Sequence, residues 1–410
     1  MARWVAFTAL AVCAGCYHPA SETSCAISCD PAGPACPGNL MCIAGLCRTD
    51  PTDTCGAPPI DAPAPTDGPM QVSDAACETF GTGLFTWQAC PPPTDKIAVS
   101  GTLNTDTQCT GLHHAIVNVT GGTVCVIYAH EIDVITPGLV ANGTRPLVLA
   151  AEVLAIQGSI EVSGQFGTTG AGTNFNCSTL ASTSTNGVGG PGGSSGFKGG
   201  AGGAVGGGMA RGAAGPESPN GALHGGCPGT TGANGSVAAG AGAGGPGGGV
   251  MYLIGKTSIA LGGSNAVHLD AGGARGKGGG TGGLCGGGGG GAGGMVAFDT
   301  PGFVFSGAGT KICANGGGGG GGGDDNGVSG TGSGGDGGDG CTTNNGGGQG
   351  VFGGGTGGSG SLGNGGGDGG GAVAGAGGGG GGGGAGYVLV FGGATAGALN
   401  QGASASPVAQ

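Results

Sequence analysis

Between residues 176 and 385 the chain places 92 of its 116 glycines, so more than two in five positions there carry no side chain. A conventional core needs bulky apolar groups to remove from water, and this stretch is too poor in them to build one. Collagen is excluded, because its Gly-x-y period must be strict and proline-rich. Here the run Gly316 to Gly323 breaks any such period, and only six of the 22 prolines fall in the stretch. A disordered linker would be rich in Ser, Lys and Glu, whereas this stretch is interrupted by compact strand-like blocks. Ordering this much glycine costs about 0.5 to 1 kcal/mol per residue relative to alanine, or about 45 to 90 kcal/mol in all. The segments are therefore either mobile, or packed as extended glycine strands whose amides pair with neighbouring chains. Partial order is the expectation.

The flanking sequence has a different character. The opening MARWVAFTALAVCAGC carries Arg3, an apolar run from Trp4 to Ala14, and small residues before Cys16, the layout of a secretory signal. The apolar run is too short to span a bilayer. It resembles a bacterial lipoprotein signal, in which small residues precede a cysteine that is acylated and becomes the mature N-terminus. Ala14, Gly15 and Cys16 fit that pattern, while Cys13 stands where such signals usually have Leu. Tyr17 follows Cys16, where an inner-membrane retention signal commonly has Asp. The resemblance implies lipidation at Cys16 and an outer-membrane or cell-surface location, with plain secretion as the alternative.

Seventeen cysteines in an exported chain point to disulfides. Cys25, Cys29, Cys36, Cys42, Cys47 and Cys55 crowd into 31 residues beside Pro and Gly turns, and a segment that small needs covalent staples. Zinc is disfavoured, since the cluster contains neither a CxxC pair nor a histidine. Residues 58–76, rich in Pro, Ala and Asp, read as an extended stalk. Cys77 with Cys90 would close the entry around Trp87, and Cys109 with Cys125 would staple the start of the body. Further disulfides among Cys177, Cys227, Cys285, Cys313 and Cys341 would restrict the glycine-rich segments.

From Lys96 onward, short β-prone runs alternate with glycine: KIAVSGTL, GTVCVIYAHEIDV and RPLVLAAEVLAIQGSIEVSG. Period-two alternation puts Ile160 and Val162 on one face and Glu161 on the other. A three-part block then recurs, starting at Pro146, Gly249 and Gly294, with a truncated copy at Gly386. Short strands recurring without helices between them suit stacked rungs. The fold class expected is all-β, a parallel β-helix-like solenoid with long glycine-rich loops, preceded by a small disulfide-rich module. The domain plan is a signal peptide (1–15), Cys-rich module (16–57), linker (58–76), rungs (77–175), glycine-rich insertion (176–248), rungs (249–313), a second insertion (314–385) and a terminal strand and tail (386–410).

With the Cys16 lipobox, the VCVIYAHEIDV and RPLVLAAEVLAIQGSIEVSG rungs, and the glycine-to-strand junctions GGGGGGAGGMV and GGGGAGYVLV, the chain is similar to uncharacterised bacterial predicted surface lipoproteins with a Cys-rich head and a glycine-rich, β-helix-like body. That resemblance covers nearly the whole chain. It implies a surface location and no particular reaction.

Motifs for chemistry are weak. At this glycine density G-x-G-x-x-G arises by chance about 18 times in the stretch, so it says nothing about nucleotides. Gly255-Lys256-Thr257 lacks the first glycine of a phosphate loop, and Gly192 to Gly196 matches G-x-S-x-G with no apolar strand leading in. His113, His114, His130, Glu131 and Asp133 form the densest polar set, read as a solvated face with His130 and Ile132 pointing one way and Glu131 and Asp133 the other. Asp324, Asp325, Asp336 and Asp339 lack the nine-residue spacing of calcium-binding glycine repeats. A net charge of −12, with ten scattered Lys and Arg, excludes nucleic-acid binding. The function expected is a non-catalytic surface lipoprotein with a structural, adhesive or matrix role, no cofactor, and a membrane partner through its lipid. Surface polysaccharide or other envelope components are its expected contacts. The alternative is a carbohydrate-active β-helix protein, whose acids and bases would come from Glu131, Asp133, Arg145, Glu152 and Glu161.

Overall fold

Runs that are apolar at every position must be covered on both faces, and here the stacked blocks turn one face into the main core and the other toward a second cluster around Phe80, Ala89, Phe175 and Leu223. The computed structural model describes residues 36, 40–43, 46–48, 77–166, 169–173, 175, 177, 187–205, 222–235, 240–263, 266–281, 284–307, 309–324, 339–341, 346–351, 353–363, 365–373, 375–407 and 409–410. They belong to two units, Met1–Ser73 and Asp74–Gln410. The expected lipidation site Cys16, the stalk, and Cys25, Cys29 and Cys55 lie outside the described residues.

In the first unit, β1 (Met41–Ile43) and β2 (Leu46–Arg48) form an antiparallel hairpin with Cys42 opposite Cys47. Cys47 is buried and bonded to Cys36, and Cys42 is also in a disulfide.

The second unit opens with an antiparallel hairpin, β3 (Glu78–Phe80) and β4 (Trp87–Ala89), closed by the Cys77–Cys90 disulfide. The strands that follow are β5 (Lys96–Asn104), β6 (His114–Val119), β7 (Gly122–Asn142), β8 (Leu147–Ile156), β9 (Ser159–Glu161), β10 (Val250–Gly263), β11 (His268–Asp270), β12 (Met295–Asp299), β13 (Phe303–Gly307), β14 (Thr310–Cys313) and β15 (Tyr387–Phe391). A short helix, α1 (Ala396–Gly402), and β16 (Ala403–Ser406) complete the chain. The twelve strands from β5 to β16 form one sheet, parallel at every pairing except β6 with β7, and nearly closed into a barrel. Its path runs β15-β12-β10-β8-β7-β9-β11-β14-β16, so both ends of the sheet come from the last block and β7 sits at the middle. β7 extends 21 residues, no short run, because its first part pairs with β6 and β8 and its last part with β5 and β9. Cys109–Cys125 ties its start to the preceding loop.

The four sequence blocks align residue on residue. Leu147, Met251, Val296 and Val388 form one column, and Ile160, Leu269, Ile312 and Ala405 another. Both columns face the main core. The intervening column Val148, Tyr252, Ala297 and Leu389 faces the opposite side, where Phe80, Ala89, Phe175 and Leu223 cover it. In the last block α1 stands where β13 stands in the block before, and its Leu399 is buried in the main core. Thr395 caps α1 by accepting from the Ala398 amide at 3.1 Å. Among the described residues no helix is long and apolar enough to cross a membrane.

The described glycine-rich residues are ordered backbone rather than open loops. In 286–294 the amides donate in strict rotation to three neighbours: Gly286 to Ala233, Gly287 to Gly378, Gly288 to Lys277, then Gly289 to Thr230, Gly290 to Gly381 and Gly291 to Ala274. A three-residue rotation is the symmetry of the extended polyproline II helix. The carbonyls of the same segment accept from three further neighbours, for example from Gly190, Gly245 and Gly320. One glycine helix thus runs through the centre of six others, and the backbone groups that would be costly to bury unpaired are bonded. Residues 377–384 are surrounded in the same way. A side chain would not fit: a Cβ at Gly289, Gly290 or Gly291 would collide with the carbonyl oxygen of Pro191, Gly317 or Pro246. The lattice continues the sheet ladder, since the Met295 amide donates to Gly249 and the Ala271 amide to Cys313.

Candidate functional site

A cavity of about 250 Å³ opens where the sheet passes into the glycine lattice. One wall is the end of β9 and the following turn, Glu161 and Ser163 to Phe166. The second wall is the end of β11, Asp270 to Arg275, and the third is Asp339 to Cys341. The alternation that buries Ile160 and Leu269 turns Glu161 and Asp270 the other way, and the two are register partners on adjacent strands. Such strands lie about 4.8 Å apart, so the two carboxylates share the opening.

Their surroundings differ. Glu161 accepts from Ser163 Oγ at 2.9 Å and from Gln165 Nε2. Asp270 accepts the Gly272 amide at 2.7 Å. Burial pushes its carboxyl up to about 6, assisted by the negative charges of Glu161 and Asp339 and opposed by the Gly272 amide. Asp339 accepts the Arg275 amide at 3.0 Å and stands 3.8 Å from the Arg275 guanidinium. The Cys313–Cys341 disulfide holds this last wall against β14. Phe166 contributes an apolar wall, with Lys277 Nζ 4.7 Å from its ring centroid. The groove therefore offers carboxylate acceptors, amide and cationic donors, and one aromatic surface.

Metal ligation is disfavoured by the sulfur chemistry. Asp270 lies near Cys313 and Cys341, and His224 near Cys177 and Cys227, but both cysteine pairs are disulfides and present no thiolate.

Of the acids and bases singled out in sequence, Glu161 and Asp339 line this groove. Lys96 Nζ bridges Glu131 at 2.5 Å and Asp133 at 2.9 Å across β5 and β7. Arg145 donates to the carbonyls of Thr105 and Asp106 at 3.0 and 2.9 Å and to Thr123 Oγ1, locking a turn. Glu152 accepts from Thr257, which with Lys256 holds its carboxyl below the usual range, and Lys256 also bridges Glu78 at 2.8 Å. His113 contacts Asp95 at 3.3 Å and the Tyr128 carbonyl, while His114 contacts the Leu112 carbonyl. His130 and Ile132 do not share a face: His130 is exposed and Ile132 is buried. The backbone bends there, and the adjacent amides of His130 and Glu131 both donate to the Asp95 carbonyl. Ser194 and Ser195 are buried within the glycine lattice, where no substrate reaches a nucleophile. Asp324 is buried at an isolated bridge to Ala376, and Asp325 and Asp336 lie outside the described residues.

Asp270, Arg275, Gln165 and Phe166 were not singled out in sequence, and Asp339 was read there only as a charge on a glycine-rich segment. Asp270 was within reach, because it closes the third strand of the second block as Glu161 closes that of the first. No protein-family model, curated protein or solved structure matches this chain.

Proposed function

We propose that the protein is a non-catalytic cell-surface lipoprotein, tethered through acylated Cys16, with an adhesive or matrix role, and that its body is a parallel β-solenoid extended sideways by a glycine lattice. The solenoid reading is supported by the residue columns that run through all four blocks. The functional reading rests on one observation: of the five groups on which catalysis would depend, Glu131, Asp133, Arg145 and Glu152 are engaged in strand-to-strand and turn contacts, and Glu161 alone lines a cavity. The work of the former is structural, as expected of a rigid display scaffold.

Labelled-palmitate incorporation in a bacterial host tests the tether. Label in the wild type that is lost in Cys16→Ala supports it; an unlabelled wild type released to the medium overturns it. Circular dichroism of the full chain tests the body, for which a strong helical signal is incompatible with stacked strands.

The carbohydrate-active alternative is favoured only by the Glu161–Asp270 pair, two carboxyls side by side in a cavity, of which burial makes Asp270 hold its proton more tightly than usual. Release of reducing ends from a soluble polysaccharide would establish it.

A further inference from the structure

We propose that the groove bounded by Glu161, Phe166, Asp270, Arg275 and Asp339 is a binding subsite for one neutral, hydroxyl-rich sugar ring of a polysaccharide. This names a ligand class for the adhesive function above and rests on that reading. Four features carry it. The cavity, about 250 Å³, lies just under the range of about 300 to 1,000 Å³ common for small-molecule sites, which suits a single ring. Its polar lining has acceptors and donors together: two carboxylates side by side on β9 and β11, Gln165, and the Arg275 side chain. Vicinal hydroxyls act as both donors and acceptors, and neighbouring carboxylates are suited to take hydrogen bonds from them. Phe166, about 37 % exposed, adds the apolar surface against which the C–H face of a sugar packs. Finally, three carboxylates line the groove with Arg275, while Lys277 lies beside Phe166, so the groove is net acidic and repels uronates and phosphorylated sugars.

Rigidity favours the same assignment. Two walls are strand ends fixed in the sheet ladder, and the third is held by Cys313–Cys341, so little ordering accompanies binding.

Affinity electrophoresis of the full chain tests the proposal in gels containing dextran, xylan or galactomannan, with polygalacturonate as the anionic counterpart. At least one neutral polymer should retard the wild type, and polygalacturonate should not. Phe166→Ala and Glu161→Gln should each raise the polymer concentration for half-maximal retardation about tenfold or more. Glu131→Gln, outside the groove, should leave it unchanged. Matching circular dichroism spectra exclude misfolding of the variants. Retardation by no neutral polymer, or equal retardation of wild type, Phe166→Ala and Glu161→Gln, overturns the subsite. Binding of dye-labelled protein to intact bacteria separates the two levels. If wild type and groove variants adhere equally, the subsite is wrong and the adhesive reading stands. If a polymer is bound and also shortened, the subsite stands and the non-catalytic reading falls.

Discussion

Tyr252 donates its phenolic hydrogen to Asp299 across 2.6 Å, joining two stacked strands on the outer face of the sheet. The same carboxylate accepts the amides of Thr82 and Gly83 at 2.5 and 2.7 Å and the Thr82 hydroxyl at 2.8 Å. Asp299 is only 3 % exposed, so these donors replace its water. Burial first, and then the bond to Asp299, hold the Tyr252 hydroxyl well above the ordinary range of a phenol. Tyr252→Phe removes one donor from a buried charge and should cost about 1 to 3 kcal/mol. Amide hydrogen exchange should show Thr82 and Gly83 losing protection; unchanged protection there would contradict the anchoring role.

The glycine lattice predicts opposite outcomes for two chemically identical substitutions. Gly290→Ala drives a methyl group into the Gly317 carbonyl and should cost more than about 3 kcal/mol. Gly371→Ala meets nothing closer than the Ala204 carbonyl at 3.8 Å and should be neutral, or stabilising by up to about 1 kcal/mol through the unfolded chain. Urea unfolding midpoints separate the two. Mobile loops would give the same small effect at both positions.

Asp270 makes stability pH-dependent. Its pKa of about 6 in the folded protein exceeds the value of about 3.9 typical of an unfolded chain, so the folded state holds a proton that the unfolded state has released. This contribution is fully present below about pH 4 and is lost as pH rises through about 6. Asp270→Asn should flatten that part of the stability profile. Glu161→Gln should shrink it, because the Glu161 charge is one cause of the shift. Thermal midpoints recorded between pH 4 and 7 test both variants, and an Asp270→Asn profile parallel to the wild type would refute the assignment.

Cys313–Cys341 closes 28 residues of sequence and fixes the wall that carries Asp339. Replacing both cysteines with Ser should cost about 3 to 4 kcal/mol in the chain-entropy account. Limited proteolysis should then cut between these positions sooner than in the wild type. Equal cleavage rates would mean that the lattice alone holds the segment.

Much of the sheet was legible. Apolar alternation located the strands, and the repeat beginning at Pro146, Gly249, Gly294 and Gly386 corresponds to the stacked strands β8, β10, β12 and β15. The groove was less legible, because Glu161, Asp270 and Asp339 are separated by 109 and then 69 positions in the sequence. Glu161 stood out as a candidate acid and Asp339 only as a charge on a glycine-rich segment, and the pairing of β9 with β11 supplies Asp270 as the partner of Glu161. At His130 the alternation rule failed, since a local bend toward Asp95 reverses the side that the next residues face.

The sequence by itself determined where side chains are missing, where strands form and which blocks repeat, because backbone freedom and apolar periodicity are local properties. It also determined that glycine must either remain mobile or pair through its backbone. Only the tertiary structure decided between these, since a glycine amide is satisfied by whichever neighbour reaches it, and the partners of Gly290, Gly317 and Gly381 lie far apart along the chain. Six extended segments around 285–294 provide those partners, and the absence of Cβ lets them approach closely enough for the amides of 286–294 to bond.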